Sequence, residues 1–340
     1  MKAVIFDKPG LDNLKVIDNA EDPKIRDHEV LIRVKMAGVN PIDHLVVSGM
    51  LPQISPFPHI PGAESSGIVE QVGNHVNDGN IKKGDRVVVH NKVFDGTCDM
   101  CLSGLDMICR NGGLIGAITN GGFADYISVP VQNVFKVPNE LNWDVLASLP
   151  VTSLTPYHAL NEASLKLNEY LLVFGASGST GMMAVQLGKK MGAKVIAVSK
   201  HNWVRTDFGA DFIINDYDRA VEQVQEITKG KMADVVLNSL GVGTWDSSVA
   251  SVGINGRWVT FGGLTGADVN LNVQSLYRKQ IKLIGSTGGT RNELRELIDI
   301  AYKEDLKVKV WKKFKLEEIK EALKGLFAKE RDGRILLEVS

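Results

Sequence analysis

The chain has 340 residues, and its 39 lysines and arginines against 40 aspartates and glutamates leave a formal charge of −1. That length suits two domains better than a single core, and the even charge gives no electrostatic footprint for nucleic acid or an anionic membrane. No apolar run reaches the roughly twenty residues that cross a bilayer, and the opening MKAVIFDKPG reads as a strand entering a Pro-Gly turn, not as a signal peptide; a cytoplasmic protein with a small-molecule substrate is expected.

In chain order, residues 1–150 read as β-rich. Glu29 to Met36 alternates apolar and polar side chains as a half-buried strand does, and Ile68 to Val72 and Arg86 to His90 are further short strands. Turn signals separate them at Gly-Val-Asn-Pro (38–41), Pro-Gly (61–62) and Lys-Gly-Asp (83–85). With no helices alternating between the strands, a partly closed β-barrel is expected.

All three cysteines, Cys98, Cys101 and Cys109, fall inside twelve residues. That crowding suits a metal better than a disulfide framework. CxxC, seven residues and a third Cys supply three of the four ligands of a tetrahedral zinc, and Asp95, three residues before Cys98, is the candidate for the fourth. Asp99 and Asp106 compete for that place, and three free thiols in a surface loop are the alternative to a metal. Four protein ligands close the site, which makes its role structural; one zinc per chain is expected, with an apparent affinity on the order of 10 to 16 kcal/mol to order the loop.

From about residue 151 strands and helices alternate. Leu171 to Phe174 is a buried strand, Gly175, Gly178 and Gly181 form a GxxGxxG turn, small and apolar residues open a helix, and Lys194 to Val198 is the next strand. In such a unit Gly175, Ser177, Gly178, Ser179, Thr180 and Gly181 face a dinucleotide pyrophosphate at the helix N-terminus. Helices near Trp203–Phe208, Ala220–Thr228 and Trp245–Ser251 alternate with strands at Phe212–Ile214, Asp234–Leu237, Trp258–Phe261 and Ile281–Ile284, making six strands of a doubly wound α/β sheet. Asn238, Ser239, Phe261 and Gly262 lie at strand ends, where ligands sit. The tail, with helices near Asn292–Lys303 and Leu316–Ala328 and a strand at Arg334–Val339, is expected to return to the first domain, giving 1–150 with 288–340 and 151–287 as the two domains.

NAD-specific domains of this kind end the second strand with Asp or Glu. Here Ser199 stands there, Lys200 and Arg205 follow, and no carboxylate faces a 2′-phosphate, so NADP(H) is the expected cofactor. A solvated helix start is the other reading of Lys200 and Arg205.

The ordered set GVNPIDHLVVSG (38–49), PGAESSGIVEQVG (61–73), GDRVV (84–88), DGTCDMCLSGLDMIC (95–109), GGFADYISVP (121–130), GASGSTG (175–181), GADFIIN (209–215) and DGRILLEV (332–339) resembles the medium-chain dehydrogenase/reductase superfamily over essentially the whole chain. The resemblance implies a GroES-like catalytic domain, a Rossmann domain and a cleft between them. Zinc alcohol dehydrogenases of that superfamily hold a catalytic zinc through a Cys, a His beside a Glu, and a second Cys; the matching positions are Asn40, Ala63 before Glu64, and Val151. None of the three is such a ligand. In the metal lobe Asp95 stands where a Cys is usual.

Asn-Pro-x-Asp at Asn40 to Asp43 is instead the form of the quinone oxidoreductase and enone reductase branches, which use NADPH without a catalytic metal. Met50 and Leu51 replace the tyrosine acid some of those enzymes carry. The resemblance makes Asn40 a hydrogen-bond donor to a developing oxyanion, with capping of the turn before Pro41 as the equal alternative; Asp43 orders the loop. Thr155 resembles a threonine that contacts nicotinamide, or else caps a helix begun at Pro156; Tyr217 covers the adenine end; Arg334 resembles a basic residue near the nucleotide phosphate. His44 and His59 are either proton donors or packed side chains. A homodimer or homotetramer through the edge strand near Ile281–Ile284 is implied as well. The expected activity is reduction of an activated alkene or a quinone. An alcohol dehydrogenase with unusual zinc ligands (Asp43, His44, His59 or Glu64) and a nucleotide-binding sensor with little catalysis are the alternatives.

Overall fold

The computed structural model describes residues 1–51, 56–76 and 79–340. The chain divides into two units, Met1–Thr152 with Thr290–Ser340, and Ser153–Gly289.

The first unit is built on the strands β1 (Glu29–Gly38), β2 (Glu64–Val72), β3 (Arg86–Val89), β4 (Tyr126–Pro130) and β5 (Val134–Lys136), with a short helix α1 (Pro41–Val47) after β1. In the second, α2 (Leu154–Glu162) precedes β6 (Tyr170–Phe174), α3 (Ser179–Lys190), β7 (Lys194–Val198), β8 (Phe212–Ile214), β9 (Ala233–Leu237), β10 (Val252–Thr260) and β11 (Lys282–Gly285). The chain then returns to the first unit with α4 (Arg291–Lys303), β12 (Val310–Lys315), α5 (Ile319–Gly325) and β13 (Arg334–Glu338).

In the first unit the sheet runs β12-β13-β1-β2-β3-β5, with β4 on the other side of β1, and every pairing but β12–β13 is antiparallel. The alternation read from Glu29 onwards is the alternation of burial: Val30, Ile32 and Val34 are inside, and Glu29, Leu31 and Arg33 are half-buried. The inward residues join Phe6, Phe123, Ile127, Ile335 and Leu337 in one core, each side chain contributing roughly 1.5–3 kcal/mol by leaving water.

The second unit is an all-parallel sheet in the order β8-β7-β6-β9-β10-β11. This is the 3-2-1-4-5-6 order of a doubly wound dinucleotide-binding fold, whose ligands lie at the carboxyl ends of the strands. Covered on both faces, β6 and β7 have no need to alternate, and Leu171–Phe174 and Val195–Val198 are apolar and buried throughout. No helix among the described residues is long and apolar enough to cross a membrane.

Some elements differ from the sequence expectation. β12 is not legible in the sequence, because the lysines of KVKVWKKFK hide its pattern; it is the edge strand of its sheet, where lysines discourage pairing with other chains. β10 starts at Val252, six residues before the expected Trp258, across a register shift that a period-two pattern cannot show. The last helix is shorter, with a 3₁₀ turn at Leu316–Glu318 ahead of α5.

Candidate functional site

The glycine-rich turn joins β6 to α3, and Gly178 is the helix N-cap. A Cβ on Gly181 would lie 2.2 Å from the carbonyl oxygen of Gly175, so only glycine lets the first turn of α3 close against the loop. Twelve residues of helix then aim their unpaired N–H groups and positive dipole end at this turn, which suits a pyrophosphate. Ser177 and Thr180 are half-buried there, and Ser179 is buried.

A depression of about 610 Å³ opens beside the turn, lined by Ser177, Lys200, His201, Asn215, Asp216, Tyr217 and Asp218. Tyr217 is fixed as its wall: the hydroxyl donates to Val198 O at 3.1 Å and the ring meets Phe174 edge-on. Burial pushes the Tyr217 hydroxyl pKa up.

Three expectations about this pocket need correction. Ser199 is fully buried, its Oγ accepting the His201 N–H at 3.1 Å, so its side chain does not reach a ligand. Arg205 lines a separate depression with Asn202, Thr206 and Ile213, because the α-turn at Trp203–Thr206 carries it away from Lys200. Carboxylates are also present: Asp216 and Asp218, from the loop after β8, line the same pocket as Lys200.

At the ends of β10 and β11 a second cavity of about 540 Å³ is lined by Trp245, Trp258, Phe261, Gly262 and Ser286 among others. Ser239 is half-buried at the end of β9. Asn238 is not available to a ligand: it is fully buried, its Nδ2 donates to Ser248 Oγ, and its Oδ1 accepts from Leu240 N and Thr244 Oγ1, so it shapes the loop. Thr155 is half-buried in the first turn of α2, which starts at Leu154 and not at Pro156.

In the first unit a buried polar network occupies the positions matched to a catalytic zinc. Glu64 Oε1 accepts from the N–H groups of Val151 (2.7 Å) and Thr152 (2.9 Å). Its Oε2 accepts from Asn40 Nδ2 at 3.0 Å, Thr152 Oγ1 at 2.9 Å and Arg334 Nη2 at 2.5 Å. Arg334 Nη1 donates to Val39 O, while its Nε has no partner among the described residues. Asp43 accepts from Asn40 N and Ala63 N, both at 2.8 Å, which locks α1 onto the start of β2. Burial pushes the Asp43 carboxyl up to about 7, against the pull of those two N–H groups and of Arg334.

Two more expectations change here. Arg334 is wholly buried and ion-paired to Glu64, so it does not approach a phosphate. Asn40 spends both amide hydrogens, on Glu64 and on Gly38 O, and has none left for an oxyanion; it stands at the N-cap of α1, where its backbone N–H donates to Asp43 Oδ2. His59 is not poised as an acid. His59 is fully buried with Nε2 2.9 Å from Gly116 O, a carbonyl that only accepts, and burial pushes its pKa down; His44 packs on Phe327. The pairing of Glu64 with Arg334 at the centre of the network is not legible in the sequence, since their bond joins residues 270 positions apart.

The metal lobe brings Asp95, Cys98, Cys101 and Cys109 together with their ligand atoms within 4.8 Å of one another. Cys98 Sγ and Cys109 Sγ are 3.8 Å apart, the edge of a tetrahedron with zinc–sulfur bonds of about 2.3 Å being about 3.8 Å. The residues therefore fit zinc. Asp95 is held in place by N–H groups of Cys98 and Thr97 on Oδ1 and by Asn111 Nδ2 on Oδ2, and these donors keep its carboxyl well below the usual range. Both competitors are engaged elsewhere: Asp99 is bidentate with Arg110, and Asp106 pairs with Arg291.

Residues 26–139 match the family model of the alcohol dehydrogenase GroES-like domain, and residues 179–303 match that of the zinc-binding dehydrogenases. The chain is 30% identical to the NAD-dependent alcohol dehydrogenase of Sulfolobus acidocaldarius over the whole of both chains. It is 27% identical to the acryloyl-coenzyme A reductase of Sulfurisphaera tokodaii, over 99% of this chain and 100% of that protein. The solved structure of a thermostable alcohol dehydrogenase from Pyrobaculum aerophilum superposes with a TM-score of 0.91 at 38% identity, covering 99% of each chain.

Proposed function

The chain belongs to the medium-chain dehydrogenase/reductase superfamily, and we propose that within it the protein is a reductase that delivers hydride to an activated alkene, such as an enone, alkenal or enoyl thioester, or to a quinone, without a catalytic zinc. The observation that carries this reading is the Glu64 network. Asn40, Ala63 and Val151 offer no thiolate or imidazole, and the Glu64 carboxylate beside them is saturated by five protein donors. A catalytic zinc needs three protein ligands and an open position. The likeness to an acryloyl-coenzyme A reductase supports an alkene as the acceptor.

A nicotinamide dinucleotide, bound in the second unit, supplies the hydride. The N-terminus of α3 holds its pyrophosphate, Gly181 permits the close approach, Tyr217 walls the adenosine pocket, and Lys200 favours the phosphorylated form, NADP(H). Phe261, Gly262 and Ser239 at the strand ends, with Thr155, border the nicotinamide end. Asn40 and Asp43 position the α1 turn. In the lobe, zinc on Asp95, Cys98, Cys101 and Cys109 ties the loop and takes no part in the chemistry. Association into a homodimer or homotetramer is supported by the edge strand β11, where Leu283 is 37% exposed.

Alcohol oxidation is the second reading, favoured by the alcohol dehydrogenases among the relatives. It requires ligands that Asp43, His59 and Glu64, all hydrogen-bonded inside the protein, do not supply freely. The test is consumption of NADPH over a panel of alkenals, enoyl thioesters and quinones, with zinc measured on the same sample. Turnover with about one zinc per chain supports the proposal; alcohol oxidation with two zincs per chain would replace it.

A further inference from the structure

The adenosine pocket lacks the acid that NAD-binding domains place at the end of their second strand, and with Ser199 buried that position offers a ligand nothing. The neighbouring strand offers a carboxylate instead. β7 and β8 run parallel with Val198 opposite Ile214. Their ends stay in step beyond the sheet, since Ser199 N donates to Ile214 O at 2.9 Å and Asn215 Nδ2 donates to Ser199 O at 2.8 Å. Asp216, the next residue, is exposed and lines the pocket together with Lys200 and Tyr217. Its Oδ1 accepts the Asp218 N–H at 3.0 Å, which fixes the side chain. Lys200, exposed on the same pocket, has no ion-pair partner among the described residues.

We propose that Asp216 takes the place of the missing strand-end acid and accepts the adenosine ribose 2′-hydroxyl, while Lys200 serves a 2′-phosphate, so that the protein uses both NADH and NADPH and these two side chains set the ratio. The inference rests on reading this pocket as the adenosine site. A carboxylate beside the ribose gains a charge-assisted hydrogen bond from a hydroxyl and repels a phosphate dianion; the lysine does the reverse. Opposite charges on one pocket thus narrow the discrimination that either would impose alone.

The test is the dissociation constant of NADH and of NADPH, each followed by nucleotide fluorescence on the full chain, for the unmodified protein and for Asp216→Asn, Asp218→Asn and Lys200→Ala. Asparagine keeps an oxygen for the Asp218 N–H, so the loop is retained, and thermal midpoints check it. The unmodified protein is expected to bind the two nucleotides within about tenfold of each other. Asp216→Asn should weaken NADH and tighten NADPH, moving their ratio by about tenfold, the size of one charge-assisted contact. Lys200→Ala should move it about as far the other way, and Asp218→Asn by less than either. An unchanged ratio in Asp216→Asn, with both nucleotides still bound, overturns the inference and leaves the reductase reading standing. Failure of the unmodified protein to bind either nucleotide overturns both.

Discussion

The carboxylate of Glu64 lies 2.5 Å from the guanidinium of Arg334, and both side chains have no solvent exposure. A pair so deeply buried is held by geometry: removing one partner leaves a buried charge without its counterion, which costs about 3–5 kcal/mol. Arg334→Met should therefore lower unfolding stability by about that amount, read from the urea midpoint. Adding Glu64→Gln should recover part of the loss, because the double substitution leaves no unpaired charge. Gly38 belongs to the same arrangement, for a Cβ there would lie 2.5 Å from Glu64 Oε2 and closer still to Arg334. If the double variant is no more stable than Arg334→Met, the pair is not what holds these segments.

Asp43 gives the network a pH dependence. Its folded pKa, raised by burial to about 7 from 3.8, means that the folded state binds the proton more tightly than the unfolded chain does. The stability it contributes is complete below about pH 4 and is lost as pH rises through about 7. Equilibrium unfolding from pH 4 to pH 8 should show this decline superposed on the other titrations. In Asp43→Asn the decline should be shallower, with a uniform loss of about 1–3 kcal/mol because an amide N–H would face a backbone N–H. Equal slopes in the two proteins would mean that Asp43 does not titrate in this window.

Much of the second unit is legible in the sequence because its pattern is local: apolar runs, glycines at fixed offsets and a helix following directly. The lobe is legible for the same reason, all four of its candidate ligands lying between residues 95 and 109. What the sequence does not disclose are contacts across long separations. Asn40 and Arg334 carry the right chemistry for a substrate or a phosphate, but each is consumed by Glu64, and only the fold shows which polar side chains are already satisfied. Asp216 escapes a sequence reading because the pattern places the carboxylate at the end of β7, while β8 supplies it through register.

Gly181→Ala tests the nucleotide turn. The new methyl carbon would meet the Gly175 carbonyl oxygen at 2.2 Å and the Ala176 Cα at 2.8 Å, both rigid backbone, so the turn and the first turn of α3 must separate. Overpacking of this kind costs about 1–3 kcal/mol. Loss of nucleotide affinity should exceed what the modest drop in thermal midpoint suggests, because the displaced amides are those proposed to face the pyrophosphate. Gly209→Ala, at a glycine with no atom within 4 Å of the added Cβ but with φ of +77°, should cost backbone strain alone and leave nucleotide binding intact.

The proposed zinc in the lobe carries a prediction about how the protein responds to chelation. With zinc bound, Asp95, Cys98, Cys101 and Cys109 are tied into a closed site; without it three thiols and a carboxylate within 4.8 Å of one another lose the bonds that link all four. Prolonged chelation should lower the thermal midpoint, and adding back zinc should restore it, as metal binding to a folded site is folding free energy. Asp95→Ala should retain less zinc after dialysis than the unmodified protein, and Asp95→Cys should retain more, since thiolate is the softer donor. Asp99→Ala disrupts only a surface pair with Arg110 and should leave zinc retention unchanged. Equal retention in Asp95→Ala and the unmodified protein would remove Asp95 from the ligand set and hand the fourth position to water or another side chain.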